Sequence, residues 1–467
     1  MASPAAALSA LPGLAADLAG SVLRPGDPDY ASIRKPYVGQ FAEALPAAVL
    51  RCAGAEDVLA ALAFAGSHQL PFALRSGGNS FADWSSTSGL LIDLSRLDTI
   101  RPDGDRVAVG PGVRVGTLAE QLAAGGRTVP CGWCPGVRVA GAVLGGGYGV
   151  LSRRYGLGAD HLQAAQVALA DGRLVWCDAE REPDLFWALR GAGGGLFGAV
   201  TALELATRPV LAGTSFECRW AYRDAAQVLA AWLRLAPAAP DQVNAELALI
   251  ATDDPDQEPY LAVYGLALGG LGGFLDGFGP APERLVTRDL SGAQAAWDHP
   301  YPGESDDSGV VLREPPPPDA GPGLTLAKSE FFDGSLPPAA IDALLAHFAA
   351  GRVRGEFRDL EFIPWGGAIG RVPTAATAFA HRGARFMLKH NVFVDYWAGD
   401  ELRQAIHRWV TTSWQLTHPY GSGGVYPNYP DPVLPPWAPA YHGANLDRLR
   451  AVKARYDPTD LFRPGGG

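Results

Sequence analysis

Two glycine-rich stretches, roughly sixty residues apart, constrain this chain more than any other feature: Arg75-Ser76-Gly77-Gly78-Asn79-Ser80 and Cys134-Pro135-Gly136-Val137-Arg138-Val139-Ala140-Gly141-Ala142-Val143-Leu144-Gly145-Gly146-Gly147-Tyr148-Gly149. Each follows a short apolar run, residues 71–74 and 127–130. Glycine removes the Cβ, so backbone N–H groups can approach an anionic group such as a diphosphate. Arg75 adds a permanent cation beside the first loop. A lone Gly-Gly is more often a simple turn, and it is the pairing of two such loops that favours a binding site.

At 467 residues the chain exceeds the usual size of one hydrophobic core, so two domains are expected. Acidic residues outnumber basic ones, 49 to 38, for a net charge of −11. That balance argues against binding nucleic acid or an anionic membrane and leaves a small molecule as the expected partner. Residues 5–19 lack a basic n-region and contain Asp17, so they read as a helix rather than a signal peptide. No run of ~18 apolar residues suggests a membrane span. Five cysteines, an odd number, offer no disulfide framework and point to the cytoplasm. Cys131-Gly132-Trp133-Cys134 could be a redox pair or half a metal site, but no second C-x-x-C or His pair completes a tetrahedron. Cys52, Cys177 and Cys218 read as buried structural thiols.

Along the chain, residues 47–52 read as a strand, 56–65 as a helix, 90–94 and 106–109 as strands, and 115–118 as a helix start. The first ~205 residues thus alternate strand and helix in an α/β manner. Beyond residue 216 the elements lengthen. Residues 225–235 and 338–349 have helical spacing, while 243–252, 259–268 and 386–394 alternate as strands of an antiparallel sheet. Four prolines at 315–318 predict a surface loop.

Read with their surroundings, the two loops resemble the flavin-binding domain of the berberine-bridge-enzyme-like, FAD-linked oxidases of the vanillyl-alcohol-oxidase and p-cresol-methylhydroxylase superfamily. That family carries Arg-Ser-Gly-Gly-His-Ser in the first loop. Its second loop reads Gly-x-Cys-Pro-x-Val-Gly-Val-x-Gly, then Gly-Gly-Gly-x-Gly. Its His and Cys each bond to the isoalloxazine, and here those positions are Asn79 and Cys134. Asp184-Leu185-Phe186-Trp187-Ala188-Leu189-Arg190-Gly191 leading to Gly198-Ala199-Val200-Thr201 is similar to the segment closing over the adenine half of FAD. Tyr426-Pro427-Asn428-Tyr429-Pro430-Asp431, Tyr441-His442-Gly443-Ala444-Asn445-Leu446, Lys453 and Tyr456-Asp457-Pro458 resemble the family's closing signature.

The resemblance implies an α+β, two-domain fold: an FAD-binding domain of the p-cresol-methylhydroxylase type over 1–208 and an antiparallel-sheet substrate domain over 209–424. Residues 425–467 would return to the FAD domain. It implies FAD held by Arg75, Ser76, Gly77, Gly78, Asn79, Ser80, Cys134, Val139, Gly141, Gly145, Gly146, Gly147, Gly149, Leu151, Gly198, Val200 and Asn428. Asn79 cannot make the histidine's bond, because an amide nitrogen is neither basic nor nucleophilic, though it can hydrogen-bond the flavin or its diphosphate. Cys134 either bonds flavin C6 as a thiolate or sits inert beside it. Arg138 and Ala142 replace a usual Gly and His of the family. Gly193-x-Gly195-x-x-Gly198 fits the dinucleotide pattern but follows a helical run, which argues against a Rossmann NAD site.

Tyr429 is the leading catalytic candidate. In relatives the corresponding Tyr faces the substrate side of the flavin and takes the hydroxyl proton as hydride leaves the adjacent carbon. A phenol of pKa ~10 needs lowering for that role. Lys389 and His390 could supply it, and alternation along 386–394 lets only one of them face inward. The other reading is that Tyr429 packs or orients substrate. Trp365, Arg371 and Arg382 are further candidates for lining the pocket. No metal site is expected. The resemblance implies an FAD-dependent oxidoreductase, an oxidase moving hydride from an alcohol, amine or sugar carbon of a small molecule or secondary metabolite to flavin N5, with O2 reduced to H2O2. A flavin-dependent cyclase or isomerase without net oxidation, or a non-catalytic ligand-binding protein, are the alternatives. High Ala, Gly and Pro content resembles a GC-rich bacterial genome.

Overall fold

The computed structural model describes residues 4–291, 323–394 and 398–464. The proline run 315–318 lies outside them. The first sheet is built on three parallel strands, Ala48–Arg51, Leu90–Asp93 and Phe72–Arg75, with Ser21–Leu23 added antiparallel at one edge. Their apolar runs are buried beneath the helix Ala55–His68, whose Val58, Ala61, Leu62 and Ala65 face the same core. Gln69, at φ 52°, ends that helix and turns the chain toward Phe72.

The α/β expectation holds only for this part. The next sheet, Ile100–Asp103, Arg106–Val109, Ala199–Ala206, Leu162–Ala168 and Leu174–Cys177 in that order, is antiparallel throughout. Asp103 pairs with Arg106 across a two-residue turn containing Gly104 at φ 58°, a link too short for the helical crossover that parallel strands need.

Gly213–Ala221 begins a seven-stranded antiparallel sheet. Its order is Arg284–Leu290, Gly213–Ala221, Tyr260–Leu268, Val243–Ala251, Glu356–Pro364, Phe386–Val394 and Leu324–Phe332. The helices Ala225–Leu235, Pro338–Ala349 and Asp400–Thr417 cover one face, burying Trp232, Leu344, Phe348 and Ile406 against Phe362, Phe386 and Leu388. The helical patterns at 225–235 and 338–349 and the strand pattern at 386–394 coincide with these elements. The sheet's other face looks into a large cavity.

After the Tyr426 to Tyr429 loop the chain returns to the first half of the molecule. Leu449, Val452 and Tyr456 of the helix Leu446–Tyr456 share a core with Val139, Leu162 and Trp187. Lys453 Nζ donates to Leu196 O, Phe462 O and Asp457 Oδ2, pinning the terminal turn in place.

Candidate active site

The cavity measures about 2090 Å³. Pockets for one small ligand run roughly 300–1,000 Å³, so this one has room for a dinucleotide and a substrate together. The two glycine loops and residues 193–200 form one side, and alternate residues of the seven-stranded sheet form the other.

The first loop fits an anionic cofactor. Ser76, Gly77, Gly78, Asn79 and Ser80 line the cavity. Gly78 is at φ 70°, and a Cβ there would lie 2.9 Å from Pro36 Cα, so only glycine fits. The N–H groups of Gly77, Gly78, Asn79 and Ser80 have no acceptor among the described residues, which leaves them for a ligand. Asn79 Nδ2 donates to Gly77 O at 3.2 Å, holding the loop's curve. Arg75 departs from expectation. Its guanidinium is buried and donates to Ile33 O, Arg34 O, Ser85 O and Ser86 Oγ, so it braces the N-terminal segment and does not line the cavity.

Second-loop residues divide in two. Cys134, Gly141 and Gly147 line the cavity, as do Gly198 and Val200 beyond it. Cys134 is exposed there, whereas Cys131 is buried with its thiol pushed up to about 12 by desolvation. The two form no disulfide, and no cluster of metal ligands exists among the described residues. Val139, Gly145, Gly146, Gly149 and Leu151 do not line the cavity. Their place is behind the wall, where the glycines permit close packing. A Cβ on Gly145 would sit 2.1 Å from Asn428 Oδ1, one on Gly146 3.1 Å from Phe379 and Tyr426, and one on Gly149 2.4 Å from Gly132 O. Val139 and Leu151 are core residues. Glycines 193, 195 and 198 run from the helix Pro183–Leu189 into the strand Ala199–Ala206, the reverse of a Rossmann turn.

On the sheet side three cross-strand pairs face the cavity: Phe357 with Phe393, Asp359 with Asn391, and Glu361 with Lys389. Lys389 Nζ lies 2.9 Å from Glu361 Oε1 and 5.0 Å from the centre of the Tyr429 ring. Burial works against the Lys389 charge, but Glu361, Tyr429 and Asp359 together raise the ammonium above its ordinary range. Tyr429 OH lies 3.0 Å from Tyr148 OH. Burial pushes the Tyr429 hydroxyl above the ordinary phenol range, and Lys389 offsets only part of that rise. Asn428 lines the cavity and donates to Ala142 O at 2.8 Å. Tyr426 OH accepts from Gly147 N at 2.9 Å, which ties the C-terminal loop to the second glycine loop.

His390 is the other correction. The pleat turns it to the helical face, where it meets Ser413 Oγ at 2.8 Å and Thr417 Oγ1 at 3.3 Å, and burial lowers its ring to about 3. Trp365 is sealed in an aromatic core, Arg382 is engaged by Asp160 at 2.6 Å, and Arg371 pairs with Asp241 at the surface. None of the three lines the cavity. Sequence reasoning missed Tyr148, Glu361, Asp359 and Asn391. Tyr148 was signalled as the one large side chain inside a glycine run, and the others by period-two spacing along 357–361 and 389–393.

Residues 46–178 match the model of the FAD binding domain family, and 425–464 the family described as berberine and berberine like. The chain is 30% identical over 464 residues to the FAD-linked oxidoreductase YvdP of Bacillus subtilis, covering 96% of this chain and 97% of that one. It is 29% identical over 452 residues to a xylooligosaccharide oxidase of Thermothelomyces thermophilus, covering 89% and 86%. The solved structure of Physcomitrella patens BBE-like 1 superposes with a TM-score of 0.84 at 25% identity, covering 97% of this chain and 98% of that one. The chain therefore belongs to the berberine-bridge-enzyme-like family of FAD-linked oxidoreductases and is an enzyme of that class.

Proposed function

We propose that this enzyme is an oxidase acting on a hydroxyl-bearing carbon of a small polar molecule, a carbohydrate foremost, and that O2 is the final acceptor. The single observation that carries the reading is the meeting of Tyr429, Tyr148, Lys389 and Glu361 at the cavity wall. FAD, held by the first-loop amides and beside Cys134, would supply the hydride acceptor and the two-electron route to O2.

The protein's part is proton handling and orientation. Tyr429, as its phenolate, accepts the proton of the substrate hydroxyl as the C–H bond breaks and becomes the phenol, and Tyr148 OH, 3.0 Å away, holds the oxygen in line. The Lys389 ammonium favours the phenolate form of Tyr429 before the transfer, and Glu361 keeps that ammonium in place. Asp359 and Asn391 offer polar partners to further hydroxyls, while Phe357 and Phe393 offer an apolar surface to a sugar ring's face. Similarity to the xylooligosaccharide oxidase supports the carbohydrate choice. Cys134 is the proposed covalent anchor for the flavin, Asn79 being unable to bond it.

The test mixes the holoenzyme anaerobically with a panel of mono- and disaccharides and simple alcohols, then admits air. Bleaching of the flavin followed by recolouring with stoichiometric H2O2 is expected. Bleaching without rapid recolouring would make it a dehydrogenase, and turnover of a substrate with neither would favour a cyclase or isomerase.

A further inference from the structure

A diphosphate needs local countercharge here, because the molecule as a whole carries −11 and screening over about 8 Å leaves only nearby groups to act. Arg75 does not provide it, its donors being engaged by protein oxygens. Among the other cations at the cavity, Arg34 is bound to Ala42 O and Ala44 O, Lys389 to Glu361 and Arg463 to Asp460. Two remain.

Arg138 lays its stem over the first loop, so that a Cβ on Gly77 would be 2.7 Å from Arg138 Cγ. Its guanidinium makes one hydrogen bond among the described residues, from Nη1 to Gly112 O at 2.7 Å, which leaves four of its N–H groups. Arg114, bridged antiparallel to Arg138, adds like charge that a bound dianion would offset. Lys35 also lines the cavity. It precedes Pro36, whose Cα is the atom that excludes a Cβ from Gly78, and it has no ion pair among the described residues. Both cations thus line the cavity beside the loop whose four amides, at residues 77–80, lack acceptors among the described residues.

We propose that Arg138 and Lys35 bind the diphosphate of FAD together with the first-loop amides, taking the part expected of Arg75. The proposal rests on the FAD reading above and concerns this chain in particular, since Arg138 replaces a residue that is usually glycine in the family it resembles.

The experiment uses the full chain carrying Cys134→Ser, so that flavin exchange is reversible, and measures the Kd of FAD and of riboflavin by flavin fluorescence. Riboflavin lacks the diphosphate. Arg138→Met keeps the stem over Gly77, and Lys35→Met keeps an apolar stem of similar length. Each is expected to weaken FAD about tenfold, the size of one charge-assisted hydrogen bond, while leaving riboflavin unchanged. Arg138→Lys should recover most of the loss. Parent-like FAD affinity in both Met variants, or equal weakening of FAD and riboflavin, would overturn the proposal alone. Failure of the Cys134→Ser parent to bind FAD would overturn the cofactor reading and this proposal with it.

Discussion

Replacing Tyr429 by Phe isolates the hydroxyl, because the ring's edge contacts with Phe81, Tyr426 and Tyr148, at 5.8, 5.2 and 6.3 Å between centroids, survive the change. If the hydroxyl only orients substrate, its loss costs one neutral hydrogen bond, about 0.5–1.5 kcal/mol or at most roughly tenfold. A general base is worth ~10²–10⁴-fold, so the two roles separate. Lys389 supplies a second handle. A cation about 5 Å from a phenolate contributes about 3 kcal/mol at an effective dielectric of ~20, or roughly two pKa units. Removing Lys389 alone would strand Glu361, so the informative variant is Lys389→Met with Glu361→Gln, which keeps the pair neutral. Anaerobic stopped-flow reduction across pH reads both. Tyr429→Phe should lose at least 10²-fold and with it the alkaline rise in rate, whereas the double variant should move that rise upward by less than the loss of Lys389 alone would, because Glu361, which raises the hydroxyl, goes with it. A loss below tenfold in Tyr429→Phe would refute the base assignment.

Acid precipitation should leave flavin in the wild-type pellet and release it from Cys134→Ser; flavin wholly in the wild-type supernatant would mean non-covalent binding. Burial, with Glu361 nearby, pushes the Glu246 carboxyl up to about 8, so the folded protein keeps a proton that the unfolded chain releases above the ordinary carboxylate range. Its stabilising contribution is complete below that range and is lost as pH rises toward 8, by up to about 1.4 kcal/mol per pH unit. Thermal midpoints of Glu246→Gln should therefore fall less between pH 5 and 8.5 than those of the wild type; parallel curves would refute the assignment. Gly145→Ala should cost about 1–3 kcal/mol of stability, since its Cβ would meet Asn428 Oδ1 at 2.1 Å while its φ of −100° suits alanine; an unchanged melting curve would show that Asn428 moves aside freely.

Local pattern made most of the secondary structure legible. The strand Phe386–Val394 and the helices Ala225–Leu235 and Pro338–Ala349 stand where period two and period 3.6 place them, because each buries its apolar stripe in one core. The sheet direction in the first half was not legible at that level. A hairpin of two turn residues and a crossover helix leave similar short apolar strands, and only the spacing at residues 104–105 separates them.

Side-chain direction was the harder problem, since it is set by partners far away in the chain. Whether Lys389 or His390 faces the cavity depends on which face of the sheet the helix Asp400–Thr417 covers, and Ser413 and Thr417 claim the histidine. Tyr148 and Tyr429 meet across 281 residues, which no local pattern records. Arg75 shows the same limit in the opposite sense. Its position beside two glycines suggested a cation aimed at an anion, yet the carbonyls of residues 33, 34 and 85 take its donors and make it a brace for the segment that brings Lys35 and Pro36 onto the first loop. Arg138, one of this chain's departures from the family pattern it resembles, lays its stem against Gly77 of that loop and commits one guanidinium donor to Gly112 O, so under the diphosphate proposal a partner roughly sixty residues away in the chain supplies the cation that local pattern assigned to Arg75.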